Sequence, residues 1–155
     1  MLRETEDFVL SRAGIVVRLA GIYGPARCAL LRKFLNGTAT LDARDRFLNH
    51  VHRDDAAAAL VLLCSAAPAD LSQPLIFNAS DNRPMTQREC CASLAQHFGR
   101  EMPPITAAAA ERKRGVSNKR VSSETLLALG WRPRFPDFPT GLRESVIPAL
   151  DINGA

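Results

Sequence analysis

Tyr23 and Arg27 stand four residues apart, a spacing at which one helix would hold phenol and guanidinium together and ease the phenol's proton away. Gly24-Pro25 lies between them and disfavours a continuous helix, and an arginine stays protonated throughout. The pair is therefore not expected to be catalytic. His50, His52, Asp54 and Asp55 offer four metal-type side chains within six residues. In an extended segment the two histidines share a face, but Asp54 or Asp55 suits the N-cap of the helix that follows. No metal site is expected. His97 falls in the last turn of a helix, where a cation suits the dipole, and is given no function. Cys28, Cys64, Cys90 and Cys91 contain no C-x-x-C pair, and the adjacent Cys90 and Cys91 bridge poorly, so reduced, mostly buried thiols are expected.

The net charge of +4 is concentrated in ERKRGVSNKR, Glu111 to Arg120, with five bases against one acid. Such a run serves a phosphate-bearing ligand, a nucleic-acid patch or a solvated loop. No aromatic residue interleaves it, which weakens single-strand binding through stacked bases. There is no G-x-G-x-x-G, no G-x-x-x-x-G-K-[ST] and no G-x-S-x-G, so phosphate-cradling loops and a hydrolase nucleophile elbow are excluded.

The elements that must position these residues follow from the pattern. At 155 residues, 46% hydrophobic and 23% charged, the chain suits one ordinary domain or half of a larger one, and is neither disordered nor fibrous. Its longest apolar run, Ala56 to Cys64, has nine residues, short of the roughly 20 a membrane span needs. The opening MLRETEDF is acidic, unlike a signal or transit peptide, and the cytoplasm is the expected compartment.

Leu2, Val9 and Ala13 share a helix face that Gly14 should end. Ile15 to Tyr23 is nearly continuous in apolar residues, as in a parallel strand covered on both faces. Ala26 to Leu35 reads as a short helix stopped by Asn36-Gly37, and Thr38 to Arg46 as a surface excursion. Phe47 to His52 is extended. The following helix is apolar all round, hence expected to be buried, and Pro68 should end it. Leu75 to Asn78 is the second convincing strand. Thr86 and Glu89 have capping-box spacing for a helix closed by Gly99. Ser122 or Ser123 caps a short helix closed by Gly130, and a last helix spans about Thr140 to Leu150. Alternating strands and helices give an α/β fold, yet two core strands are few for this length.

The run RLAGIYGPAR, Arg18 to Arg27, resembles the segment after the sixth strand of the extended short-chain dehydrogenase/reductases, the NAD(P)-dependent nucleotide-sugar epimerase/dehydratase group. There the pattern is close to R-x-x-x-x-Y-G-P-G-R. Leu48 to Leu60 resembles that group's N-R-I-H-V-D-D-x-A segment, and Phe77 to Pro84 the strand and turn beyond it. Asn118 to Ser123, then Gly130 to Gly141, complete the order. Two departures are visible: Ala26 replaces a usual glycine, and Arg53 stands where an apolar residue is common.

The resemblance implies a partial doubly wound, Rossmann-like fold: residues 1–155 as the C-terminal half, with a small α/β substrate-binding portion and the cofactor-binding half absent. The glycine-rich loop, the Ser/Thr and the Tyr-x-x-x-Lys pair of the family would lie upstream, so no catalytic residue is assigned. By position, Ala20, Tyr23 and Pro25 would lie beside the nicotinamide end of NAD or NADP, which this chain alone would not hold. Arg27, Asn49 and His52 would touch or brace the substrate pocket. Arg120 would meet a substrate phosphate, since a guanidinium fork suits its oxygens.

The expected partners are a small molecule, a nucleotide-sugar among the candidates, and either a missing N-terminal half or a second copy; no membrane is expected, and nucleic acid is disfavoured. Two other functions remain open: a non-catalytic binding or regulatory module of the same fold, and nucleic-acid binding with steep salt dependence.

Overall fold

The structure, a computed structural model, describes residues 2–66, 75–106 and 118–151. Strand β1 (Val16–Leu19) pairs parallel with β6 (Ile76–Ala79), Val17 opposite Phe77, as the two apolar runs predict. At Ala20 the extended run changes partner. The Ala20 amide still donates to Ala79 O (3.0 Å), while the next amide, Gly21, donates to Asn49 O (2.9 Å). Strand β2 (Gly21–Tyr23) then runs parallel to β5 (His50–His52). One continuous apolar segment therefore serves two neighbours.

Two small pairs join these: β3 (Leu41–Asp42) with β8 (Ile105–Thr106), and β4 (Phe47–Leu48), inside the stretch read as extended, with β7 (Met85–Thr86); β3, β7 and β8 have no counterpart in the sequence pattern. Two-residue strands are too short to show alternation. The first of them corrects the reading of 38–46 as surface, because Ala39 and Leu41 are buried.

Helices build a core on each side of this framework. Helix α3 (Arg53–Ser65) and α5 (Glu124–Ala128) enclose Val51, Phe77, Leu126 and Trp131. Helix α2 (Ala29–Leu35) and α4 (Gln87–Phe98) gather Leu31, Phe34, Cys90 and Leu94 around Tyr23. The capping box of α4 is present: Glu89 N donates to Thr86 Oγ1 (3.2 Å) and Thr86 N to Glu89 Oε2 (2.7 Å). Gly99 ends that helix at φ +59°.

Helix α3 departs from expectation twice. Its cap is His52, whose Nδ1 accepts from the Asp54 amide (3.2 Å), and neither aspartate takes that place. The helix is also apolar without being buried all round: Ala56, Ala59 and Leu63 face the core, while Leu60 and Val61 are 44% and 65% exposed. The proposed stop at Pro68 lies outside the described residues. Helix α1 spans Leu2–Leu10. The C-terminal helix begins earlier than expected, with Asp137 capping α6 (Phe138–Gly141) by accepting from the Thr140 amide (2.8 Å). It passes through a π-helical turn, Leu142–Val146, into α7 (Pro148–Asp151). Among the described residues no helix is long and apolar enough to cross a membrane.

Helix α2 starts three residues late because a tight turn precedes it. Gly24 N donates to Arg27 O (3.1 Å) and Arg27 N to Gly24 O (2.9 Å), with Pro25 and Ala26 between. Proline holds its own φ near −65°, so the turn's positive φ falls on Ala26, at +59°. That is type II geometry, whose third position favours glycine. An Ala26→Gly chain is expected to be more stable by about 0.5–1 kcal/mol, read as a higher urea midpoint at unchanged m-value. A lower midpoint would mean that Ala26 is not left-handed.

Candidate functional site

A cavity of about 510 Å³ opens between α2, the β2–β5 pair and the 38–48 segment, within the size range of small-molecule sites. Leu30, Leu48 and Phe138 give it apolar walls, and Lys33 and Arg46 supply cations. Arg46 is oriented through its Nε, which donates to Asp42 Oδ2 (3.0 Å). Gln87, at the start of α4, donates from Nε2 to Thr40 O (2.8 Å) and so ties that helix to the 38–48 segment.

His50 also lines the cavity, its ring stacked on Phe138 at 4.5 Å. Burial pushes its imidazole down to about 4, so it is neutral at ordinary pH. The Cys28 thiol, also at the wall, is pushed up by burial and is not a ready nucleophile. Cations, a neutral imidazole and an amide make a site that can grip an anionic, hydrogen-bonding molecule. They make a poor proton-transfer site at neutral pH.

A second depression, of about 520 Å³, lies where α1 crosses β1. It is lined by Glu6 and Arg18, paired through Arg18 Nη2 and Glu6 Oε2 (2.6 Å), and by none of the residues singled out from the sequence.

Of the residues assigned by resemblance, only Tyr23 lines the first cavity. It is just 3% exposed, edge-on to His50, His52 and Phe138, and its hydroxyl donates to Asp137 O at 3.4 Å. Burial, with the nearby Asp81, Asp55 and Asp137 charges, raises its phenol well above the ordinary range. It is a packing residue. The Ala20 amide is spent on Ala79, and Pro25 O accepts from Arg53 Nη1 (3.1 Å). These three residues can form one wall beside a dinucleotide but do not make up a holder for it.

His52 does not line the cavity. It is fully buried, and both ring nitrogens are engaged, Nδ1 as the α3 cap and Nε2 with Ser145 Oγ (3.1 Å). Burial lowers its pKa. Asn49 braces its surroundings, donating from Nδ2 to Lys119 O (2.9 Å) and accepting at Oδ1 from Val121 N (2.8 Å). With Asn118 Oδ1 accepting from Phe47 N (2.6 Å), it straps 118–121 onto β4 and β5. Arg120 is exposed, its guanidinium 4.2 Å from the centre of the Phe47 ring. Arg27 is exposed beside the turn. The rest of the basic run, 111–117, lies outside the described residues.

Asp55, with Asp54 one of two candidate caps in the sequence, is buried and accepts from the Arg134 and Phe135 amides (2.7 and 3.0 Å), fastening the proline-rich segment to α3. Lys33, Arg46, His50 and Gln87 were not singled out as cavity residues. They come from four separate segments, and no local spacing announces their meeting. Among the described residues no cluster suited to a metal ion is present.

The fold is shared with solved enzymes. The chain has the partial Rossmann-like architecture of NAD-dependent epimerase/dehydratase structures and corresponds to a C-terminal half of them. A protein from Methylobacillus flagellatus, provisionally named an NAD-dependent epimerase/dehydratase, superposes with a TM-score of 0.75 at 25% identity, over 96% of this chain and 51% of its own. Thermus thermophilus UDP-glucose 4-epimerase, solved with NAD, gives 0.67 at 22%, over 99% of this chain and 51% of its own. Thermotoga maritima UDP-glucose 4-epimerase, solved with UDP-glucose, gives 0.73 at 18%, over 97% and 50%. The chain thus spans about half the length of the structures it matches. No family model and no curated protein matches the sequence.

Proposed function

We propose that this chain is the substrate-side half of an NAD(P)-dependent epimerase, dehydratase or reductase acting on a nucleotide-sugar or a related small molecule. The observation that carries the reading is the superposition of nearly the whole chain on half of such structures. When bound, the cofactor would supply hydride transfer. The residues here would hold substrate in the Lys33–Arg46–Gln87 cavity and present the Ala20–Pro25 segment as one wall beside the nicotinamide. Arg27 and Arg120, both exposed, would steer or hold an anionic group at the rim, while Asn49 and His52 keep the surrounding segments in place.

On this reading residues 1–155 form one part of a larger unit, inactive alone because no glycine-rich loop or Tyr-x-x-x-Lys pair is in the sequence. The purified chain is expected to bind UDP-glucose without NAD(P)-dependent turnover. Joint Lys33→Ala and Arg46→Ala substitution is expected to weaken that binding at least about tenfold in calorimetry. Turnover by the purified chain, or binding indifferent to both cations, would overturn the proposal. The cavity's poor fit to proton transfer at neutral pH favours a second reading, a binding module of the same fold. Joining the complementary half separates the two, since only the enzyme half then gains turnover.

Phe8, Leu60 and Val61 are exposed by 56%, 44% and 65%, apolar side chains that a larger unit would cover. The isolated chain is expected to self-associate at tens of micromolar, and a monodisperse monomer in light scattering would count against the half-unit reading.

A further inference from the structure

The two departures from the family pattern, Ala26 and Arg53, act on the same turn. Arg53 opens α3 and reaches back to Gly24–Arg27. Its Nη1 donates to Pro25 O at 3.1 Å, and its stem covers Gly24 so closely that a Cβ there would lie 2.8 Å from Arg53 Cδ. Its Nε is turned toward Asp54 Oδ1 (3.3 Å). The Pro25 carbonyl belongs to the central peptide of the turn. Flipping that peptide interconverts the type I and type II forms, and swings the carbonyl while moving the third residue between negative and positive φ. Alanine prefers the negative side by roughly 1–2 kcal/mol. Yet Ala26 sits at +59°.

We infer that Arg53 is a positioning residue that locks the Pro25–Ala26 peptide in its type II orientation through Pro25 O, doing with a side chain what a glycine at position 26 would do with conformational freedom. The clamp gains reach because α3 begins beside it. His52 caps that helix and contacts Ser145, and Asp55 holds the 134–135 amides, so the turn is referenced to the same rigid point as the C-terminal segments. Its relevance to a cofactor rests on the reading of 20–25 as a wall beside the nicotinamide. The conformational claim does not depend on that reading.

The test is solution NMR of the 155-residue chain without ligand, below the concentration at which light scattering detects self-association. In the parent, the Ala26 HN–Hα coupling and Cα shift are expected to report a left-handed residue. Arg53→Met keeps the apolar stem and removes the donor. It is expected to move both signals toward right-handed values and to speed Gly24 and Arg27 amide exchange at least about tenfold, with the α4 amides unchanged. Arg53→Lys, which retains a donor, should restore part of the protection, and adding Ala26→Gly to Arg53→Met should restore the positive φ. Left-handed signals and unchanged exchange in Arg53→Met would overturn the inference, as would equal loss of protection across α4, which would mark a general packing defect. Failure of UDP-glucose binding, by contrast, bears on the functional reading and leaves this result intact.

Discussion

Gly141→Ala is expected to cost about 3 kcal/mol or more, or to leave the chain unfolded at about 37 °C. A Cβ at 141 would overlap Tyr23 Oη and come within 2.8 Å of Tyr23 Cζ. The phenol has nowhere to go, because it is buried edge-on among His50, His52 and Phe138. Tyr23→Phe alone removes a long hydrogen bond and should cost about 1 kcal/mol or less. Combined with Gly141→Ala it should recover part of the loss, since the worst overlap goes while the ring contact stays. Urea denaturation of the four chains gives the coupling directly. A Gly141→Ala chain as stable as the parent would show that the Tyr23–Gly141 packing is wrong.

The second large effect concerns Asp81. The residue is buried, with neither carboxyl oxygen in a well-formed hydrogen bond among the described residues. Burial pushes its pKa from an ordinary 3.8 up to about 8, the Arg83 amide giving partial relief and the Asp137 charge adding to the rise. A carboxyl with a raised folded-state pKa leaves stability intact below the unfolded value and removes it as pH climbs through the folded one. Between about pH 4 and 8 the parent should therefore lose roughly 3–5 kcal/mol from this group.

His50 works in the opposite direction, since its pKa falls from 6.5 to about 4, and buried His52 is lowered as well. Each costs stability as pH drops below about 6.5. The two slopes oppose each other from about pH 4 to 6.5, and Asp81 acts alone from about 6.5 to 8. Asp81→Asn removes one slope but still buries a polar amide. It is expected to be more stable than the parent by about 1–3 kcal/mol at pH 8, with the advantage gone near pH 4. Across about pH 4 to 6.5 its stability should rise, exposing the histidine effect. Parent stability that stays level from about pH 6.5 to 8 would show that the carboxylate is partnered.

Features specified by neighbours in the chain were legible in the sequence. Thr86 and Glu89 make their box, Gly99 and Gly130 take positive φ, and each of the two apolar runs forms a strand. Features decided by distant segments were not. Asp54 and His52 both stand where a cap can form, and His52 takes it because its other nitrogen meets Ser145, 93 residues away. Asp55 looks like a helix-start charge until the Arg134 and Phe135 amides arrive. Leu41 lies in a polar stretch, and only pairing with 105–106 makes it core. The cavity suffered most, because Lys33, Arg46, His50 and Gln87 meet only in the folded chain.

The central claim is that these 155 residues are half of a two-part enzyme, and the intact mass of the native polypeptide in its source cells tests it most directly. The account predicts a species of roughly 30–35 kDa containing this sequence, the usual size of two joined α/β units. A sole species at 16.9 kDa would contradict it.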